Sequence, residues 1–141
     1  MLIPQFSSYF EAGTDEAGRG SLAGPVTAAA VILPISFDLP FLNDSKKISK
    51  SQRYHLRNLI EDQAVGFSYA HVSPNEIDKI NILNASIKAM HLAFDKLNQK
   101  PEFISVDGNK FNSYKSIPFK CIIKGDKKYS NIAAASVLAK T

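Results

Sequence analysis

Cysteine occurs once in the 141 residues, as Cys121, so an intrachain disulfide is impossible and a reducing compartment is the simplest setting. It lies in the apolar segment Pro118-Phe119-Lys120-Cys121-Ile122-Ile123 with no histidine nearby, which reads as a small half-buried residue and argues against a thiol nucleophile. Long hydrophobic runs are missing as well. The longest apolar stretch, residues 23–35, is too short and interrupted to span a bilayer, and residues 1–9 lack the basic start and apolar core of a secretory signal. No membrane partner is expected, and the cytoplasm is the expected location. Repeats and low-complexity tracts are absent. Histidine is scarce: His55 and His91 fall in expected helices and His71 in an expected strand, none beside a motif acid, so all three read as ordinary core or surface residues.

What is present suits one domain. A chain of this length with 45% hydrophobic residues can bury a core, and its net charge of +4 is compatible with a polyanionic partner without selecting one. The informative feature is Asp15-Glu16-Ala17-Gly18-Arg19-Gly20, two adjacent carboxylates followed by an arginine framed by glycines. Val106-Asp107-Gly108-Asn109 and Lys124-Gly125-Asp126 each close an apolar run. Four acids from three segments well separated in sequence thus sit at expected strand ends.

Carboxylates brought together repel and stay ionised only if a cation or water lies among them. Hard divalent ions such as Mg²⁺ take oxygen ligands and keep several waters, so a few acids around an open site suit them. Two such ions, about 4 Å apart, can hold the attacking and leaving oxygens of a phosphodiester displacement. A nuclease is the natural hypothesis, set against the reading of each acid as a solvated turn residue.

Local patterns place the motifs. Residues 11–18 and 23–33 read as two antiparallel strands, with Gly18, Gly20 and Gly24 marking the turn between them. Ser49 followed by Gln52 resembles a capping box opening a helix through Tyr54, Leu56, Leu59 and Ile60. Residues 66–72 alternate as a third strand. Ser73-Pro74 starts a second helix, and Leu83, Ile87, Met90, Phe94 and Leu97 recur at helical steps over 82–97. Residues 103–106 and 119–123 read as short buried strands, and the Ala-rich 130–140 as a helix packed on a sheet. Three strands followed by alternating helices and strands indicate an α/β or mixed topology. Tyr114 and Tyr129, in or near the sheet, read as core.

These residues resemble ribonuclease HII, the type 2 ribonuclease H family. The resemblance rests on 15–20, on Leu42-Asn43-Asp44-Ser45-Lys46-Lys47, on Ile80-Asn81-Ile82-Leu83-Asn84-Ala85, on 106–109, and on Lys124-Gly125-Asp126 leading into 132–140. It implies a single ribonuclease H-like catalytic domain over residues 1–141: a five-stranded mixed sheet, three antiparallel strands then two parallel ones, flanked by helices. It further implies hydrolysis of the RNA strand of RNA/DNA hybrids and cutting on the 5′ side of ribonucleotides embedded in duplex DNA, leaving 3′-hydroxyl and 5′-phosphate ends. Asp15, Glu16, Asp107 and Asp126 match the family's catalytic tetrad, which holds two Mg²⁺ or Mn²⁺ ions, with Asp15 central.

By the same resemblance Gly18, Arg19 and Gly20 match the loop that reads the ribose 2′-hydroxyl, where a missing Cβ admits close backbone approach. Lys46, Lys47 and Lys124 are the candidate phosphate contacts. Family chains continue beyond the position of Thr141 into further helix carrying a tyrosine that stacks beside the junction, so the resemblance covers the chain as a C-terminally shortened member. Related proteins dock a replication clamp near a terminus; no such motif is read here. Two alternatives stand beside this reading: an inactive, truncated nucleic-acid-binding fragment, and another nuclease of the same superfamily, transposase- or resolvase-like. Metal dependence separates binding from cleavage.

Overall fold

The computed structural model describes residues 1–18, 24–44 and 46–141; Arg19 and Gly20 of the first motif and Ser45 of the second lie outside the described residues. Strands β1 (Glu11–Ala17), β2 (Val26–Ile32), β3 (Gly66–Val72), β4 (Phe103–Asp107) and β5 (Phe119–Ile122) form one sheet in the order β3-β2-β1-β4-β5. The β1/β2 and β2/β3 pairs are antiparallel, and β1/β4 and β4/β5 are parallel, as the resemblance implied. β2 explains the continuous apolar run in the sequence. Its Ala28, Ala30 and Ile32 enter one core while Ala29 and Val31 enter the other, so a strand covered on both faces needs no polar alternation.

One face carries α3 (Ile82–Asp95), which contributes Ala85, Ala89, Met90, Ala93 and Phe94 to the first core, with α2 (Pro74–Ile80) beside it. The other carries α1 (Lys50–Gln63) and α4 (Ser130–Lys140), contributing Leu56, Ile60, Val137 and Leu138. The capping box at Ser49 forms in both directions, Gln52 N–H donating to Ser49 Oγ at 3.1 Å and Ser49 N–H to Gln52 Oε1 at 3.0 Å. Ser73 caps α2 with Pro74 in its first turn. Asn81, at φ 70°, ends α2 and caps α3 by accepting the Asn84 N–H at 3.0 Å, so the third motif of the resemblance is a helix junction. On β3 the small Ser68 and Ala70 face inward and the aromatic Phe67 and Tyr69 outward, the Arg57 guanidinium lying 5.0 Å from the centre of the Tyr69 ring. Among the described residues no helix is long and apolar enough to cross a membrane.

α4 lies very close to the sheet because both surfaces are built from small side chains. Ala133, Ala134 and Ala135 are buried in the helix, and a Cβ placed on Gly13 of β1 would stand 2.6 Å from the Asn131 carbonyl carbon and 2.7 Å from Ile132 N. The start of α4 has no side-chain cap at Tyr129. Instead residues 3–4 of the N-terminal segment accept from its first two amides, Ser130 N–H to Ile3 O at 2.8 Å and Asn131 N–H to Pro4 O at 3.2 Å. Leu138, 1% exposed, is the largest apolar side chain of α4's last turns. Leu138→Ala should cost about 2–5 kcal/mol, read as a lower urea midpoint with an unchanged slope.

Candidate active site

The sheet topology decides which acids meet. β1 and β4 are parallel neighbours with Thr14 opposite Val106 as their last pair, so the next residues, Asp15 near the end of β1 and Asp107 at the end of β4, stand side by side. The chain leaves β5 into a short 3-10 turn, Gly125–Lys127, which returns Asp126 to the same edge: its N–H donates to Asp107 Oδ1 at 3.3 Å. Gly125 is fixed by crowding, since a Cβ there would stand 2.7 Å from Ile132 Cδ1. Lys124 precedes it in the left-handed region (φ 56°, ψ 38°), a conformation that costs a non-glycine residue roughly 1–2 kcal/mol. That strain sits where the turn aims Asp126.

Asp15 is 4% exposed. Burial first, then the charges of Asp107 and Glu16, push its carboxyl well above the usual carboxylate range, and a hydrogen bond shared with Asp107 acts in the same direction. The Glu16 N–H, donating to Asp15 Oδ1 at 2.8 Å, opposes this only in part. Glu16 alternates to the other side of the strand and lines a cavity of about 260 Å³ with Asp107, Gly108, Asn109, Lys110 and Met90. Asp107 therefore reaches both sides of the sheet edge. The structure brings Asp15, Glu16 and Asp107 into electrostatic contact and joins Asp126 to them through Asp107.

Lys46 was expected at a substrate phosphate. Here its Nζ lies 2.7 Å from Asp126 Oδ2, and that hydrogen bond, assisted by the charges of Asp126, Asp15 and Asp107, raises its pKa. Among the described residues no three His, Cys, Asp or Glu side chains stand at the spacing of a finished ion cage; the Lys46 ammonium is the cation among the acids. Lys47 lines a neighbouring cavity of about 450 Å³ with Lys46, Asp126 and Lys127. Lys124 is exposed at the turn. Gly18, at φ 97°, turns the chain out of β1 where a Cβ would lie 2.4 Å from Pro25 O, so that position requires glycine.

Sequence reasoning missed a cationic cavity. About 520 Å³ in volume, it opens beside Ala17 and is lined by Lys46, by Arg53 from the first turns of α1, and by Ser136 and Lys140 from α4, with no acid among the described residues of its wall. Lys140 Nζ donates to Ser136 Oγ at 2.8 Å. One signal was available. The first turn of α1 holds no acid and the helix opens with Lys50 and Arg53, cations at the positive end of the macrodipole, where they destabilise the helix and attract an anion. The three histidines stand away from the acids, His71 Nδ1 against Thr27 Oγ1 at 2.7 Å and His91 Nε2 against Asn112 O at 2.8 Å. Burial, and then its hydrogen bond to Asp95, push the Tyr114 hydroxyl up to about 12. Burial pushes the Cys121 thiol up, as suits an inert residue.

Asp15 carries a pH dependence whose sign is fixed. Its folded pKa lies above the unfolded value, so its contribution to stability is fully present below the unfolded pKa and is lost as pH rises through the folded one. In chelator, thermal stability should therefore decline over that window as pH rises towards neutrality. Asp15→Asn should flatten the decline and raise the melting temperature at pH 7, measured by calorimetry across pH.

Comparison with known proteins agrees with this geometry. The ribonuclease HII family model matches residues 12–141. The ribonuclease HII of Bacteroides fragilis is 58% identical over 142 residues, covering 100% of this chain and 71% of the relative. That of Christiangramia forsetii is 62% identical over 130 residues, covering 92% of this chain and 66% of the relative. Among solved structures, the ribonuclease H2 of Pyrococcus horikoshii superposes with a TM-score of 0.76 at 27% identity, over 92% of this chain and 70% of that one. A ribonuclease HII of Archaeoglobus fulgidus, solved in complex with PCNA, gives 0.76 at 28% identity over 93% and 71%. On a family match running from the second residue of β1 to Thr141, together with the five-stranded sheet, the chain belongs to the ribonuclease HII family.

Proposed function

We propose that this chain is a cytoplasmic endonuclease that hydrolyses the RNA strand of RNA/DNA hybrids and cuts 5′ of ribonucleotides embedded in duplex DNA, leaving 3′-hydroxyl and 5′-phosphate ends. The observation that carries the reading is the meeting of Asp15, Asp107 and Asp126 at one sheet edge around the Lys46 ammonium. The donor set fits Mg²⁺ or Mn²⁺: it is all carboxylate oxygen, its charges raise the pKa of Asp15, and a side-chain cation already compensates it. Asp15, Glu16, Asp107 and Asp126 are the residues that would hold two such ions. Bound there, the ions supply activation of water and neutralisation of charge on the leaving 3′ oxygen.

The remaining work falls to the protein. Lys46, which pairs with Asp126 and also lines the cationic cavity, would be free to turn to a phosphate there if Asp126 served an ion instead. That cavity, with Arg53 and Lys140, receives a backbone phosphate of the duplex and sets its position along the sheet edge. Lys47, which shares a cavity wall with Asp126, and the exposed Lys124, two residues before Asp126, add attraction for the strand. The glycine turn at Gly18 brings backbone close to the sugar that carries the 2′-hydroxyl, the group that separates RNA from DNA. Arg19 and Gly20 follow Gly18 in the sequence and complete the motif to which the resemblance gives this reading. Residues 1–141 act as a single catalytic domain in this reading.

Incubation with duplex DNA holding one ribonucleotide, and with a continuous hybrid, should give Mn²⁺- or Mg²⁺-dependent cleavage on the 5′ side of the ribonucleotide. Asp15→Asn should lower the rate by at least about 10²–10³-fold while binding of the duplex persists. Binding that needs no divalent ion, with no product under any metal, would instead identify a non-catalytic nucleic-acid-binding module. Arg53→Ala and Lys140→Ala should each reduce the salt slope of duplex affinity by about one unit. They should raise KM with little change in kcat.

A further inference from the structure

The mechanism leaves one buried acid unused. Glu11 opens β1, is 1% exposed, and accepts three N–H groups: Ser7 N at 2.7 Å on Oε1, and Phe6 N at 3.0 Å and Asn131 Nδ2 at 2.8 Å on Oε2. Asn131, fully buried, uses its whole amide. Its Nδ2 also donates to Ser105 Oγ at 3.3 Å, and its Oδ1 accepts the Ile132 N–H at 3.0 Å inside the first turn of α4. One side chain therefore ties together β1, β4 and α4.

The place of this knot in the sheet gives it a functional meaning. Gly13 and Ser105 are paired across β1 and β4, and Asn131 sits against that pair, its Cγ within 2.8 Å of where a Gly13 Cβ would stand. On each strand the next residue on the same face is an acid of the site, Asp15 after Gly13 and Asp107 after Ser105. Asp126 lies in the 3-10 turn Gly125–Lys127, which leads into α4 and so into Asn131. β1 and β4, which present Asp15 and Asp107, are thus fixed to each other and to α4 one residue pair below those two acids, and Asp126 stands in the turn that enters α4. Glu11 also holds Phe6 and Ser7, and the segment leading to them supplies the Ile3 and Pro4 carbonyls that cap α4.

From this geometry we infer that Asn131, anchored by Glu11 and Ser105, is a positioning residue that sets the spacing of the acid cluster, with Glu11 as the clasp that closes the N-terminal segment over it. The inference rests on the nuclease reading only for the use made of that spacing. A carboxylate suits the clasp because it accepts without donating. Glutamine would turn an NH₂ towards at least one of the three donors.

The test has two arms in Asn131→Ala and Glu11→Gln, with far-UV circular dichroism and melting used to confirm folding. In the first, made without metal, amide resonances of Asp107 and Asp126 should shift in Asn131→Ala although the Asn131 side chain is hydrogen-bonded to neither. If they stay in place, the inference is overturned whatever the ion chemistry. In the second, Mn²⁺ affinity read by electron paramagnetic resonance should weaken roughly 10–100-fold, and kcat should fall while KM for the hybrid holds. A merely structural role would lower the melting temperature, with Mn²⁺ affinity and kcat per folded molecule at their wild-type values, and would contradict the proposal. Wild-type chain that binds no Mn²⁺ would count against the nuclease reading, and the resonance arm would still decide the positioning claim. Asn131→Asp, which sets a second carboxylate against Glu11, should be worse than Asn131→Ala. Asn131→Gln, which keeps the amide, should recover part of the loss.

Discussion

The mutual repulsion of carboxylates at the shared end of β1 and β4 is the constraint around which the site is built. Asp15 is buried beside Asp107 and Glu16, and both burial and charge oppose its ionisation. A fold selected for stability alone would not gather these groups, since each unpaired buried charge is costly. The protein bears the arrangement in two ways: a proton held on Asp15 well above the normal carboxylate range, and the Lys46 ammonium paired with Asp126. A divalent ion can replace both.

The scaffold that holds the acids against their repulsion is made of close approaches. Small residues on β1, β2 and α4 let the helix lie almost backbone to backbone on the sheet, and Gly13 is the point of tightest contact. The polar groups trapped there are matched: Asn131 spends its amide on Glu11, Ser105 and the Ile132 N–H, and the N-terminal segment caps the helix with its own carbonyls. On the opposite face α3 packs by conventional apolar burial, with Met90 and Phe94 against the sheet. Packing quality is thus uneven by design: larger side chains fill the α3 core, while the α4 side trades bulk for precision beneath the acids.

Much of this was legible in the sequence wherever the signal is local. The Ser49–Gln52 capping box, the Ser73-Pro74 start, the alternation over 66–72 and the Ala-rich 130–140 all encode their elements within a few residues, and each forms as read. The motif acids were legible by type and by position at strand ends. What escaped depends on contacts between distant residues. Nothing near Lys46 says that it meets Asp126, and nothing near Glu11 says that a charged residue at a strand start is sealed between Phe6, Ser7 and Asn131. Arg53 and Lys140 gain their meaning only when α1 and α4 are packed side by side around one cavity. The local trace of Arg53, a helix N-terminus loaded with the wrong sign of charge, was present but is easily read as a solvated basic turn.

Anomalous diffraction from crystals of this chain grown with Mn²⁺ tests the central claim most directly, because it locates the ion without reference to activity. The account predicts anomalous density in contact with the carboxylates of Asp15 and Asp107, with Asp126 turned from Lys46 to the ion. Density elsewhere, or a Lys46–Asp126 pair that persists with no ion among the acids at saturating Mn²⁺, would contradict it.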